Sequence, residues 1–182
     1  MNLDPWHRFW SALKPNSMEI RQQNGRALVL RQIDELKAAA EQYNAGSNTL
    51  ELDANIAIPA YQAAIDIHCM PGSYHGEEGP DDISAGANYD CGIFATTAGG
   101  IGALSDGGGQ ALVKWIKEQR PGGVPRRILD VGVTVGHNTV PLALAFPKTE
   151  IIAIDVAALV LRNGHARAKA PGVGNIRFIQ AW

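Results

Sequence analysis

From Gly123 to Trp182 the chain alternates strand-like and helix-like segments without interruption, and that alternation limits the possible folds more than any other feature. "RRILDV", "TEIIAIDV" and "NIRFIQ" are short runs rich in β-branched residues, while "HNTVPLALAF" and "ALVLRNGHARAKA" between them have the length and composition of helices. Apolar strands joined by helices predict an α/β fold built on a Rossmann-like parallel sheet of three strands, covered on both faces, with ligands beyond the carboxyl ends of the strands. A boundary near Gly123 divides the chain into a mainly helical region, 1–122, with Gly/Pro-rich loops, and this partial Rossmann-like domain, 123–182.

The helical region opens with "DPWHRFWSAL", where Asp4 can cap, Pro5 suits the first turn, and Trp6, Phe9, Trp10 and Leu13 share a face. Pro15 should stop this helix. A longer one is expected from Asn16 or Ser17 to about Asn44, with Val29, Ile33, Leu36, Ala40 and Tyr43 as its apolar stripe. Pro59 can open a further helix through "PAYQAAIDI". "ISAGANYDCGIF" reads as a helix capped by Asp82, "TTAGGIGALSDGGG" as a glycine-rich connector or lid, and "QALVKWIKEQR" as an amphipathic helix ended by Pro121–Gly122.

The turn after the first strand, "DVGVTVG", is built for close approach. Gly132 and Gly136 let the backbone fold tightly without a Cβ between it and a ligand, and the helix that follows begins with unpaired N–H groups. Asp155 ends the second strand about 20 residues later, where a carboxylate can accept both hydroxyls of a ribose. The alternative is purely structural: the glycines close a strand-to-helix turn, and Asp155 caps the helix beginning at Val156. His137 opens its helix and is expected to leave its ring in solvent.

Spacing narrows the nucleotide. A dinucleotide fingerprint needs G-x-G-x-x-G, and the middle glycine is missing, which disfavours NAD; a Walker loop needs Gly-Lys-Ser/Thr, and the chain has Gly136–His137–Asn138. "DVGVTVG" instead resembles the first motif of class I S-adenosylmethionine-dependent methyltransferases, D-x-G-x-G-x-G, with Thr134 at the middle glycine. The likeness covers roughly Pro125 to Trp182 and, more loosely, "DIHCMPGSYHGEE" and "NYDCGIF". It implies an enzyme that uses S-adenosyl-L-methionine. Asp130 and the backbone of Gly132, Thr134 and Gly136 would surround the amino-acid end of the cofactor, Asp155 would hold the ribose hydroxyls, and Val156 would lie against the adenine. Thr134 narrows and stiffens the turn.

Catalytic residues are not identified by the motif. His68, Cys69, Tyr74, His75, Glu77 and Glu78 crowd one loop, which the resemblance places near cofactor or acceptor; loop packing is the competing reading, and the spacing matches no metal-ligand pattern. With 16 Lys and Arg against 18 Asp and Glu, scattered and netting −2, the chain presents no footprint for nucleic acid or an anionic membrane. No apolar run approaches the roughly 20 residues of a membrane span. Two cysteines, and no basic-then-apolar leader at Met1–Leu13, lead to the expectation of a reducing cytoplasm.

The superfamily sheet has more strands than "FIQAW" reaches, so the first strand should present an uncovered apolar edge. Two function classes follow: a methyltransferase, or the N-terminal part of one, acting on a small-molecule acceptor; or a truncated, inactive methyltransferase-like module that works by self-association or partner binding. In either case a homo-oligomer formed near that edge, by strand pairing or exchange of N-terminal segments, is expected.

Overall fold

Asp4 begins the first helix as its sequence suggests: its carboxylate accepts the N–H groups of Trp6 at 2.9 Å and His7 at 3.1 Å, with Pro5 in the first turn. In the computed structural model, which describes residues 4–64 and 68–182, this helix, α1 (Pro5–Leu30), runs straight through Pro15. The expected stop is therefore corrected. Proline removes one ladder bond, but the surrounding turns are exposed, so water can take the orphaned carbonyl, and Asn16 Nδ2 donates to Ala12 O at 3.1 Å. The break falls at Arg31–Gln32, where Gln32 adopts φ −122° before α2 (Ile33–Asn44). Trp6, Phe9, Trp10 and Leu13 are all exposed, because α1 is anchored through its second half, by buried Gln22, Gly25 and Val29.

After α3 (Ala60–Ala64) the remainder of that expected helix, 65–67, lies outside the described residues. α4 (Ser84–Thr96) follows, and Asp82 acts two residues before its start, accepting from Ser84 N at 2.7 Å and Glu78 N at 3.0 Å. α5 (Gly107–Gln119) begins three residues earlier than its apolar pattern suggests, inside the glycine triplet. Those glycines are a packing device: a Cβ on Gly109 would stand 2.8 Å from Asn138 Cα and O, so only glycine admits this helix start against the next element.

Among the described residues four strands form the sheet, one more than expected. β1 (Leu50–Glu51), β2 (Arg127–Val131), β3 (Glu150–Asp155) and β4 (Ile176–Gln180) are all parallel in the order β1-β4-β3-β2. The addition, β1, comes from the helical region and carries Thr49 O to Phe178 N at 2.8 Å. α6 (Thr139–Ala145) connects β2 to β3, and α7 (Ala158–Lys169) connects β3 to β4.

Among the described residues the sheet is covered on one face, not two. Register aligns Ile128 with Ile151 and Ile176, and Asp130 with Ala153 and Phe178; on this face Ile151, Ala153, Ile176 and Phe178 are buried beneath α5, α6 and α7. The other face carries the rows Leu129–Ile152–Arg177 and Val131–Ile154–Ile179, and there Leu129 is 62% and Val131 69% exposed. Chain direction explains the asymmetry: β2 to β3 to β4 steps the same way across the sheet, and right-handed crossovers taken in one direction lie on one side. Among the described residues β2 is also an open edge.

α7 is the hub of the helical layer, packed by α2 and α4. His165 on α7 is fully buried; its Nδ1 meets Asn44 Oδ1 at 2.7 Å and its Nε2 meets Ser47 Oγ and Thr49 Oγ1 at 3.0 Å, which fastens the segment entering β1. Among the described residues no helix is long and apolar enough to cross a membrane.

Candidate functional site

β2 and β3 end side by side, so the turn after β2 and the carboxylate ending β3 are forced together. Gly132 (φ 75°), Thr134 (φ 49°) and Gly136 (φ 79°) all adopt the left-handed conformation. For Thr134 this is strained, on the order of 1–2 kcal/mol for a residue bearing a Cβ. Asp155 answers it: Oδ2 accepts Thr134 N–H at 2.9 Å, while Oδ1 accepts Ala157 N–H at 3.0 Å. A hydrogen bond to a charged acceptor contributes about 1.5–3 kcal/mol, enough to hold the strained turn. Asp155 thus clamps the turn to the start of α7, and the backbone N–H of Val156 also acts on its carboxylate, which keeps acceptor capacity for a further donor. Burial raises its pKa, the backbone N–H groups of Ala157 and Thr134 oppose that rise, and the charge of Asp130 adds to it.

Gly132, Thr134, Asp155 and Val156 together line a cleft of about 460 Å³ at the carboxyl end of the sheet. The open space is real at Gly132, where an added Cβ would meet no atom within 4 Å. Asp130 and Gly136 are not on the cleft wall. Asp130 faces the covered side and accepts the Thr139 hydroxyl, and Gly136 lies beneath the turn near Val140 and Phe178.

The loop crowded with polar residues reaches this cleft through Tyr74 and His75. Its acidic residues are otherwise engaged: Glu77 pairs with Arg162, Glu78 with Arg26 at 2.9 Å, and neighbouring Asp81 with Lys37 at 3.2 Å, so ion pairs tie the loop to α7, α1 and α2. His68 Nδ1 and the Tyr74 hydroxyl lie 2.5 Å apart.

Sequence reasoning missed the ring of side chains behind the turn. Tyr89 on α4 packs against Tyr74 (centroids 5.4 Å), His68 (6.1 Å) and His137 (5.8 Å). Burial and the charge of Asp155 push the Tyr89 phenol upward, partly offset by a hydrogen bond with Thr134. His137, expected in solvent, is only 9% exposed; its Nε2 sits 2.5 Å from Asp90 Oδ1, and Arg167 Nε approaches the other oxygen at 3.6 Å. This correction has a topological cause: Asp90 and Arg167 come from α4 and α7, which fold over the turn. The one available clue was the motif "NYDCGIF", whose Tyr89 and Asp90 are the residues involved.

A strained glycine turn clamped by the acid of the next strand, on an all-parallel sheet, can be set beside known proteins. The chain is similar to a methyltransferase. Over 88 residues it is 33% identical to a malonyl-[acyl-carrier protein] O-methyltransferase of Methylococcus capsulatus, a match spanning 48% of this chain and 30% of the relative. The chain therefore spans under a third of that relative's length. No family model and no solved structure matches it.

Proposed function

We propose that this chain carries the cofactor-binding part of an S-adenosyl-L-methionine-dependent methyltransferase that acts on a small-molecule acceptor. The observation that carries the reading is the pairing of Asp155 with the Thr134 turn at 2.9 Å across one cleft, and the likeness to an O-methyltransferase supports it. The residues present suit such a ligand. Gly132 leaves space for a close backbone approach, Asp155 retains acceptor capacity for a ribose hydroxyl, and Val156 offers an apolar surface for an adenine.

Bound there, the cofactor would supply a methyl group on a cationic sulfur, whose S–C electron pair returns to sulfur as an acceptor lone pair forms the new bond to carbon. The chain's own task is to align the acceptor with that carbon and exclude water. By likeness to the relative the nucleophile is an oxygen. A hydroxyl would release its proton, whereas a carboxylate has none to lose and requires no base. Gly132→Val tests the reading by calorimetry with S-adenosylhomocysteine: the parent should bind and the variant should not, because a branched side chain fills the approach.

A second reading is favoured by the uncovered β2 edge and the exposed Leu129 and Val131 beside it. An apolar strand left unpaired is a template for another chain, so self-association through β2 gives the alternative role of a non-catalytic module.

A further inference from the structure

A second, larger cavity of about 820 Å³ lies between α1 and α4, and neither the glycine turn nor Asp155 contributes to it. One face of α1 supplies Trp10, Leu13, Lys14, Ser17 and Arg21, which recur at three- and four-residue spacing, and α4 supplies Tyr89, Ile93 and Thr96 at the same spacing. The floor is fixed by Gln22, which is 4% exposed, accepts from Asn88 Nδ2 at 3.4 Å and packs so closely on Gly92 that a Cβ there would lie 2.5 Å from its Oε1. The groove is thus held open by a built contact between the helices.

Two features identify its occupant. Its body is apolar and aromatic, formed by Trp10, Leu13, Ile20 and Ile93, while its charge is wholly positive: Lys14 and Arg21 line it, no carboxylate does among the described residues, and neither cation has an ion-pair partner among them. The second feature is position. Tyr89 and His68 line this groove, Tyr74 lines the cofactor cleft, and the Tyr74 and Tyr89 rings are 5.4 Å apart, so among the described residues this ring pair stands between the two cavities.

We propose that the α1–α4 groove is the acceptor subsite and that it takes an amphipathic anion. The apolar chain or ring of the ligand lies against Trp10, Leu13, Ile20 and Ile93; its anionic group is held by Lys14 and Arg21; its nucleophilic end is presented at the Tyr89 ring. This rests on the methyltransferase reading above. Methyl transfer requires nucleophile and carbon about 3–3.5 Å apart, so the reactive end must pass the edge of the ring pair while the remainder stays in the groove. The groove's volume falls in the range of small-ligand sites, roughly 300–1,000 Å³. The exposure of Trp10 and Leu13 also follows: these two side chains cover a ligand, not the protein core.

Calorimetric titration of the full chain with decanoate, decanol and S-adenosylhomocysteine tests this. Decanoate should bind saturably at one site, at least tenfold tighter than decanol. The double variant Lys14→Glu/Arg21→Glu, which alters only exposed side chains, should weaken decanoate at least tenfold and leave S-adenosylhomocysteine unchanged. Ile93→Trp, filling the groove, should abolish decanoate binding alone, and Ile93→Ala serves if the larger variant fails to fold, weakening decanoate severalfold. Unsaturable decanoate binding, or equal affinity in parent and charge-reversed protein while S-adenosylhomocysteine still binds, overturns the subsite and spares the cofactor reading. Decanoate binding with the expected variant pattern but no S-adenosylhomocysteine binding overturns the acceptor role itself.

Discussion

The carboxylate of Asp155 and the backbone N–H of Thr134 meet at 2.9 Å, although 21 residues separate them, and this bond holds a β-branched residue at φ 49°. The same carboxylate is the one proposed to hold the cofactor ribose. Asp155→Ala should lower stability by about 1.5–3 kcal/mol through the loss of charge-assisted bonds to Thr134 and Ala157. Urea denaturation measures it; an unchanged midpoint would mean the turn holds itself.

Thr134→Gly should act in the opposite sense. It relieves left-handed strain of about 1–2 kcal/mol and adds unfolded-state entropy costing about 0.5–1 kcal/mol, so the folded state should gain up to roughly 1.5 kcal/mol. Loss of stability in the same urea assay would show that the Thr134 hydroxyl, which donates to Val133 O, matters more than the strain.

α7 supports the turn from behind. A Cβ at Gly164 would stand 3.1 Å from the Cα and carbonyl carbon of Val135, itself fully buried. Gly164→Val should cost about 1–3 kcal/mol by overpacking, detected as a lower denaturation midpoint. A neutral result would place slack between α7 and the turn.

Much of this clamp was legible because strand, turn, helix and strand follow one another closely: once "RRILDV" and "TEIIAIDV" are parallel neighbours, Asp155 must lie beside the turn. What stayed hidden depended on distant segments. Leu50–Glu51 is too short to show alternation, and it becomes a strand only because β4 offers an edge. Asp90, which buries His137, is 47 residues away in sequence. Pro15 misled because a stop signal is only a local cost, which an exposed helix can absorb. Coverage of both faces was inferred from apolar strands, whereas the handedness of two crossovers taken in one direction puts both helices on one side.

Stability should fall on mild acidification. Burial, aided by the charge of Lys169, pushes the His165 pKa down from 6.5 to about 4. Below pH 6.5 the unfolded chain binds a proton that the folded chain refuses until about pH 4. Stability attributable to this group is thus full above pH 6.5 and drops by about 1.4 kcal/mol per pH unit from there down to about pH 4. The difference between parent and His165→Gln in urea midpoints at pH 7 and pH 5 reads this; parallel curves would remove His165 as the source.

Leu129 and Val131 should carry self-association. Light scattering over a dilution series should show a dimer or larger species at micromolar concentration, and Leu129→Lys/Val131→Lys should convert it to a folded monomer, since both side chains are already exposed. A parent that is monomeric throughout, or an assembly unaffected by the two lysines, excludes this edge and its bare face.

The central claim, that the Asp155–Thr134 cleft holds the methyl-donor cofactor, is tested most directly by titrating S-adenosylhomocysteine into the parent chain and into Asp155→Asn, with circular dichroism to verify that both are folded. One saturable site is expected in the parent and at least tenfold weaker binding in the variant, whose side-chain NH2 replaces a carboxylate oxygen and accepts from neither ribose nor backbone. No binding to the folded parent, or equal affinity in the two proteins, would contradict it.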